Sequence, residues 1–198
     1  MPRNWLTGVA AVVAGTPLVL TAMALQAGGV SGSVTAKGLR TNAGIVVSLH
    51  ASGTKATPPA KPLELDQKGM VFSPHVMAVP VGTRVQFLNS DAVAHNVFSP
   101  EGKYNLGTWP QGEIREHVFD KPGVYTQLCR VHPEMEAFIV VLDTPYFAVT
   151  DRAGKYAIAD VPPGKYTLVA WGEKLKSVKQ EVTIDAGKTL TVDLAMAR

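Results

Sequence analysis

The chain has 198 residues, 46% of them apolar and 18% charged, and 19 Lys and Arg stand against 16 Asp and Glu. That balance excludes an intrinsically disordered chain, and a net charge of +3, scattered along the sequence, excludes a dedicated nucleic-acid binder. A single cysteine excludes any intramolecular disulfide, while 14 prolines and 18 glycines between short apolar runs point to many turns and few long helices.

Residues 1–27 differ in kind from the rest. Arg3 is their only charge, and an apolar stretch runs from Trp5 to Ala27 with small residues at Ala22, Ala24 and Ala27. A basic start, an apolar centre and small residues at the end fit an export signal, cleaved after Ala24 or Ala27. The same stretch is just long enough to span a bilayer as a retained anchor, although Gly15 and Pro17 interrupt it. Either reading places the remaining chain in a periplasmic or otherwise extracytoplasmic compartment, with membrane attachment through this segment under the second.

From residue 28 the pattern is strands and turns. Val30–Lys37 and Ile45–His50 run apolar or alternating, with Gly38 and Asn42–Gly44 between them. Residues 51–62, rich in Ala, Thr, Lys and Pro, read as a loop or linker. Further strands are expected at Val76–Val81, Arg84–Asn89, Ala94–Ser99, Arg115–Phe119, Val124–Cys129 and Ala137–Asp143, each bounded by Gly, Pro, Asn or Asp. No later stretch shows a convincing helical period, so the mature protein reads as all-β.

A last block opens near Tyr146. Asp151–Gly154 is a turn, and Tyr156 and Ile158 then share one strand face. Val161-Pro-Pro-Gly164 is a second turn, followed by Tyr166, Leu168 and Ala170 on one face; Val182–Asp185 and Leu190–Leu194 read as a closing hairpin. The run Asp-x-x-Gly-x-Tyr-x-Ile to Val-Pro-Pro-Gly-x-Tyr-x-Leu resembles the carboxypeptidase-regulatory-like, or transthyretin-like, β-sandwich. Gly29-Val-Ser-Gly32-Ser-Val34 and Ala43–Leu49 resemble its first half. Residues 144–198 alone, roughly 55 of them, are few for an independent core without disulfides. The resemblance therefore implies a split domain, with 28–60 as first half, 144–198 as second half and 61–143 inserted between them.

The chemistry sits in the insert. Cys129-Arg-Val-His132-Pro-Glu-Met135 puts a thiolate, an imidazole and a thioether on one short loop, and His95 lies 34 residues upstream of the cysteine at another strand end. Cys, two His and a weak Met are the ligand set of blue-copper electron-transfer sites. Thiolate and thioether favour Cu(I) while imidazole tolerates both oxidation states, so the mixture lies between two preferred geometries and little has to move when an electron arrives.

Residues 61–143 resemble a cupredoxin of the plastocyanin–amicyanin kind, a Greek-key β-sandwich. The motifs are Phe72-Ser-Pro74, Val79-Pro-Val-Gly82-Thr-Arg-Val85, Asn89-x-Asp91-x3-His95-Asn96-Val97 and Gly123-Val-Tyr125-x3-Cys129, with the short amicyanin spacing in Cys-x2-His-x2-Met. The resemblance implies one type 1 copper with His95, Cys129 and His132 as strong ligands and Met135 as the axial one. It also implies that the Asn96 side chain ties its strand to the cysteine loop, and that the outer edge of His132, flanked by Val131 and Pro133, is the face that meets a redox partner such as a c-type cytochrome or a dehydrogenase. An aromatic residue just before the cysteine, which serves as a second route in plastocyanins, is Leu128 here.

Other readings stay open at this stage. Met135 is also an ordinary core filler, and Glu134 or Glu136 could replace it as a ligand. His75 reads as structural, His50 and His117 as surface residues, and Trp109 as a loop anchor. A hydrolytic or redox enzyme would need an open coordination position, and a closed set of four protein ligands leaves none, so no enzymatic activity is expected. A copper-delivery or storage protein shares every ligand with an electron carrier, and differs from it in surrendering the metal.

Overall fold

The structure, a computed structural model, describes residues 26–198; nearly all of the expected signal or anchor segment lies outside them. Every regular element among the described residues is a strand. The chain begins with β1 (Gly28–Ala36) and β2 (Val46–His50). After the proline-rich segment come β3 (Leu63–Gln67), β4 (Phe72–Ser73), β5 (Val76–Pro80), β6 (Thr83–Asn89), β7 (His95–Ser99) and β8 (Tyr104–Trp109). Next are β9 (Ile114–Phe119), β10 (Gly123–Leu128), β11 (Glu136–Leu142) and β12 (Phe147–Val149). The last are β13 (Lys155–Val161), β14 (Gly164–Trp171), β15 (Val178–Ile184), β16 (Thr189–Thr191) and β17 (Leu194–Met196).

Two pairs of sheets result. In one pair, the order β4-β3-β6-β9 faces β5-β11-β10-β7-β8 across a core that includes Leu65, Val85, Phe87, Val97, Phe119 and Ile139. In the other, β13-β1-β16, with β17 also on β1, faces β12-β2-β14-β15 across Val30, Val34, Leu49, Ile158, Leu168 and Ile184. β1 thus lies between strands from the far end of the chain, antiparallel to β13 and parallel to β16 and β17. β2 likewise lies between β12 and β14.

The closing segments depart from the expected hairpin. β15 pairs with β14, whereas β16 and β17 pair with β1, so the Asp185–Lys188 turn carries the chain from one sheet across to the other. A turn sequence fixes a reversal of direction and leaves the choice of partner strand to the core. The sequence also gives little sign of β3 and β8. β3 is polar at alternate positions and ends on the buried Gln67, whose amide donates to the Leu88 carbonyl at 2.9 Å. β8 contains the turn-forming Asn105 and Gly107.

The glycines of β1 have a steric purpose. The backbone of Val192 approaches Gly32 so closely that a Cβ there would overlap the Val192 carbonyl oxygen, and the Val192 amide donates to the Ser31 carbonyl at 2.8 Å. Gly32→Ala is expected to cost about 3 kcal/mol, since backbone cannot yield as a side chain does, and to shift the urea midpoint accordingly. Gly38→Ala serves as the comparison. With open space around it and a φ of +88°, it should cost only the left-handed penalty of about 1 kcal/mol.

β11 joins the two halves of the molecule. Ala137, Ile139 and Val141 face the β5–β10 core, while Val140 and Leu142 pack with Val46, Phe147 and Trp171 of the second sandwich. Phe138 meets Trp171 with ring centroids 5.6 Å apart. A strand covered on both faces needs an unbroken apolar run, and Ala-Phe-Ile-Val-Val-Leu supplies it.

Candidate metal centre

His95 opens β7, and Cys129 directly follows β10. β10 and β7 are hydrogen-bonded neighbours, which brings the two residues together despite their distance in sequence. His132 and Met135 sit on the loop to β11, a loop tightened by the Met135 amide donating to the His132 carbonyl at 3.0 Å. One ligand atom each from His95, Cys129 and His132 falls within 4.8 Å of the others. The Cys129 Sγ lies 3.9 Å from His132 Nδ1, and the two histidine Nδ1 atoms lie 2.9 Å apart. Both rings therefore turn the same nitrogen towards one focus.

Burial is steep around that focus. His95 is 0% exposed, Cys129 3% and Met135 1%, and only His132 is half-buried. Met135 shares the apolar core with Cys129, while Glu134 is exposed and Glu136 half-buried. The donor set, a cysteine sulfur with two imidazoles and a buried thioether, suits type 1 copper, whose soft sulfur and imidazole ligands these side chains supply.

The surroundings favour the ligating forms. The Asn96 amide points at Cys129 Sγ at 3.4 Å, a contact that supports a negative sulfur. The Asn96 side chain accepts from the Arg130 amide at 3.3 Å and donates to Asn105 Oδ1 at 2.8 Å and to the Gly107 carbonyl, so it spans β7, β8 and the cysteine loop. His95 Nε2 donates to Asp91 Oδ2 at 2.9 Å. Backbone amides of Met70 and Gly69, helped by His95, hold the Asp91 carboxyl down at about 2 against the desolvation that burial imposes. Asp91 stands in the motif four residues before His95, and that spacing was the available signal for its contact with the ring.

Several other residues are placed by the fold. Val131 and Pro133 are both exposed on the loop beside His132, and Val93, in the loop before His95, is 46% exposed. Arg130 lies over the Phe98 ring at 5.0 Å. Trp109 is fully buried at the end of β8, paired with His95 in register. His75 links the two sandwiches: its Nδ1 donates to the Glu136 carbonyl at 3.0 Å and its Nε2 meets Glu173 at 2.8 Å.

His117 is not the surface residue the sequence suggests. It shares its inward parity with the buried Phe119, while Val118 is the residue facing solvent. Its ring stacks on Tyr104 at 4.0 Å, and burial lowers its pKa. Val118 is apolar, but β9 is an edge strand whose outer face tolerates it.

Comparison with known proteins agrees with both halves. Copper binding proteins of the plastocyanin/azurin family match residues 60–142, and the carboxypeptidase regulatory-like domain matches residues 133–197. Among solved structures, a purple cupredoxin from Nitrosopumilus maritimus is 30% identical, covering 40% of this chain and 99% of its own, with a TM-score of 0.37. A reduced amicyanin variant is 21% identical over 48% of this chain and 98% of its own, with a TM-score of 0.40. A copper-containing nitrite reductase from Thermus scotoductus SA-01 is 26% identical over 55% of this chain, but this covers only 28% of that enzyme, with a TM-score of 0.40. No curated protein matches the chain.

Proposed function

We propose that this chain, which belongs to the cupredoxins and carries a plastocyanin/azurin-family domain joined to a carboxypeptidase regulatory-like one, is an exported one-electron carrier with a single type 1 copper. The observation that carries the reading is the convergence of His95, Cys129 and His132 within 4.8 Å in an otherwise buried site. Copper supplies the Cu(II)/Cu(I) couple. His95, Cys129 and His132 would hold the metal strongly, and the buried Met135 thioether would be a weaker fourth donor. Because β7, β10 and β11 of one sheet, together with the Asn96 side chain, hold these residues, they would keep nearly the same positions in both states, which keeps the reorganisation small. A closed set of four ligands leaves no position for a substrate, as hydrolytic or oxygen chemistry would need.

Electrons enter and leave through the half-buried ring of His132. Val131 and Pro133 surround it with a small apolar face of the kind transient redox partners use, and Arg130, Glu134 and Glu136 form a rim of mixed sign that tunes association rate more than affinity. The partner is a redox protein of the same extracytoplasmic compartment, a c-type cytochrome or a dehydrogenase by analogy with the fold.

The test is to load the protein with one equivalent of copper, record its optical and EPR spectra, and follow electron exchange with a cytochrome c. A strong visible charge-transfer band with retention of copper through redox cycling is the expected result. Val131→Asp or Pro133→Asp should slow exchange roughly tenfold with the spectrum intact, by disturbing encounter alone. Weak ligand-field bands with tetragonal EPR would overturn the blue-copper assignment. Prompt loss of copper to a competing chelator on reduction would favour delivery over electron transfer.

A further inference from the structure

We propose that Asp91 is a positioning residue for the copper site, holding His95 on its Nδ1-ligating tautomer and biasing the centre towards the oxidised ion. This rests on the copper reading above. The two ring nitrogens of His95 have different tasks: Nδ1 faces His132 Nδ1 at 2.9 Å, in the ligand cluster, and Nε2 meets Asp91 Oδ2 at 2.9 Å. A carboxylate only accepts, so Nε2 carries the proton and Nδ1 keeps its lone pair for the metal. The ring has no solvent exposure, so water does not compete for that proton. Donation to a full negative charge makes the imidazole a stronger base, and a more basic, more negative ligand favours the doubly charged ion over the singly charged one.

The carboxylate is itself firmly held. The Gly69 amide donates to Oδ1 at 2.6 Å and the Met70 amide to Oδ2 at 2.9 Å. The Asp91 amide donates to Asn89 Oδ1 at 3.0 Å, and the Asn89 side chain donates to the Val93 and Trp109 carbonyls at 2.9 and 3.0 Å. Gly69 and Met70 both adopt left-handed backbone, with φ of 69° and 61°. For Met70 that conformation is unfavourable, and in it the amide donates to the carboxylate. A backbone turn held against its own preference fixes the group that fixes His95. His132 differs, since its polar contacts are made through Nδ1 and its ring reaches the surface. One histidine is thus anchored to a charge and the other is left to meet the partner.

The experiment compares wild type with Asp91→Asn, measuring Cu(II) and Cu(I) affinities by chelator competition and the midpoint potential by redox titration. Loss of an outer partner of a ligating histidine lowers metal affinity by about 10–100-fold. Here the loss should fall on Cu(II), and each tenfold change in the Cu(II):Cu(I) affinity ratio raises the potential by about 59 mV. If Asp91 only clamps the Gly69–Met70 turn, both affinities fall by one factor and the potential stays put; that result overturns the proposal. A measurement on wild type guards against a variant that does not fold. In the diamagnetic reduced protein, the His95 Nε2 proton should give a low-field NMR signal protected from solvent exchange, and a fast-exchanging proton there overturns the proposal too. A wild type without the charge-transfer band would instead sink the copper reading on which this rests.

Discussion

Cys129→Ser should abolish the intense visible absorption of the copper-loaded protein and lower its copper affinity by more than about 100-fold, beyond the loss of any outer partner. The reason is chemical and local. A serine hydroxyl at this position stays protonated and hard, whereas a thiolate is the soft, charged donor that would both bind copper and give the charge-transfer band. Folding should survive, because Cys129 is a small buried group whose replacement by Ser changes volume little, so the melting curve of the metal-free variant checks that the loss belongs to the site. Met135→Leu separates the axial assignments. Met135 is 1% exposed and shares the core with Cys129, so the variant should keep a strong band with an altered band ratio. A band unchanged by Met135→Leu but altered by Glu136→Gln would assign the axial position to the carboxylate. A copper-loaded Cys129→Ser protein that stays strongly coloured would remove the thiolate from the site altogether.

The convergence of His95, Cys129 and His132 was legible because a metal site needs rare residue types at fixed spacing: Cys129, His132 and Met135 recur every third residue on one loop, and His95 opens the neighbouring strand. The strands were legible wherever alternation marks a half-buried face, as at Val76–Pro80 and Thr83–Asn89. Asp91 stands in a motif, yet the amides that hold its carboxylate belong to a turn at Gly69 and Met70 brought in by the β3–β4 hairpin. No local pattern encodes that meeting. The inward parity of His117 is hidden for a related reason, since an edge strand does not oblige its apolar residue to face inward. The cover on β11 was present in the sequence as an unbroken apolar run, and the sheet that covers it comes from residues on both sides of the insert. Strand partners far apart along the chain are set by which faces must be buried, and this is a property of the whole molecule.

Residues 144–198 alone are expected to show no cooperative unfolding, while 28–60 joined to 144–198 through a short linker should fold and unfold as one unit. β1 is the central strand for β13, β16 and β17. Without it those three strands lose their hydrogen-bonded neighbour and become unpaired edges. Removing 28–60 also takes Val30, Val34, Val47 and Leu49, all 0% exposed, from the core. At about 1.5–3 kcal/mol for each fully buried aliphatic side chain, that loss is as large as the roughly 5–15 kcal/mol by which a whole domain is stable. The joined halves restore both the ladder and the core. They should still be less stable than in the intact chain, because Val46, Phe147 and Trp171 would lose their cover from β11, and the exposed patch should promote association at high concentration. Circular dichroism melts of the two fragments decide the matter. A well-folded 144–198 fragment, together with fast amide exchange over 28–60 in the intact protein, would show that the C-terminal block carries its own core and that β1 and β2 merely decorate it. The intact chain should instead give slow exchange at Val30, Val34, Val47 and Leu49 to the same degree as at Ile158 and Leu168, since all six lie in one core and open only when that core does.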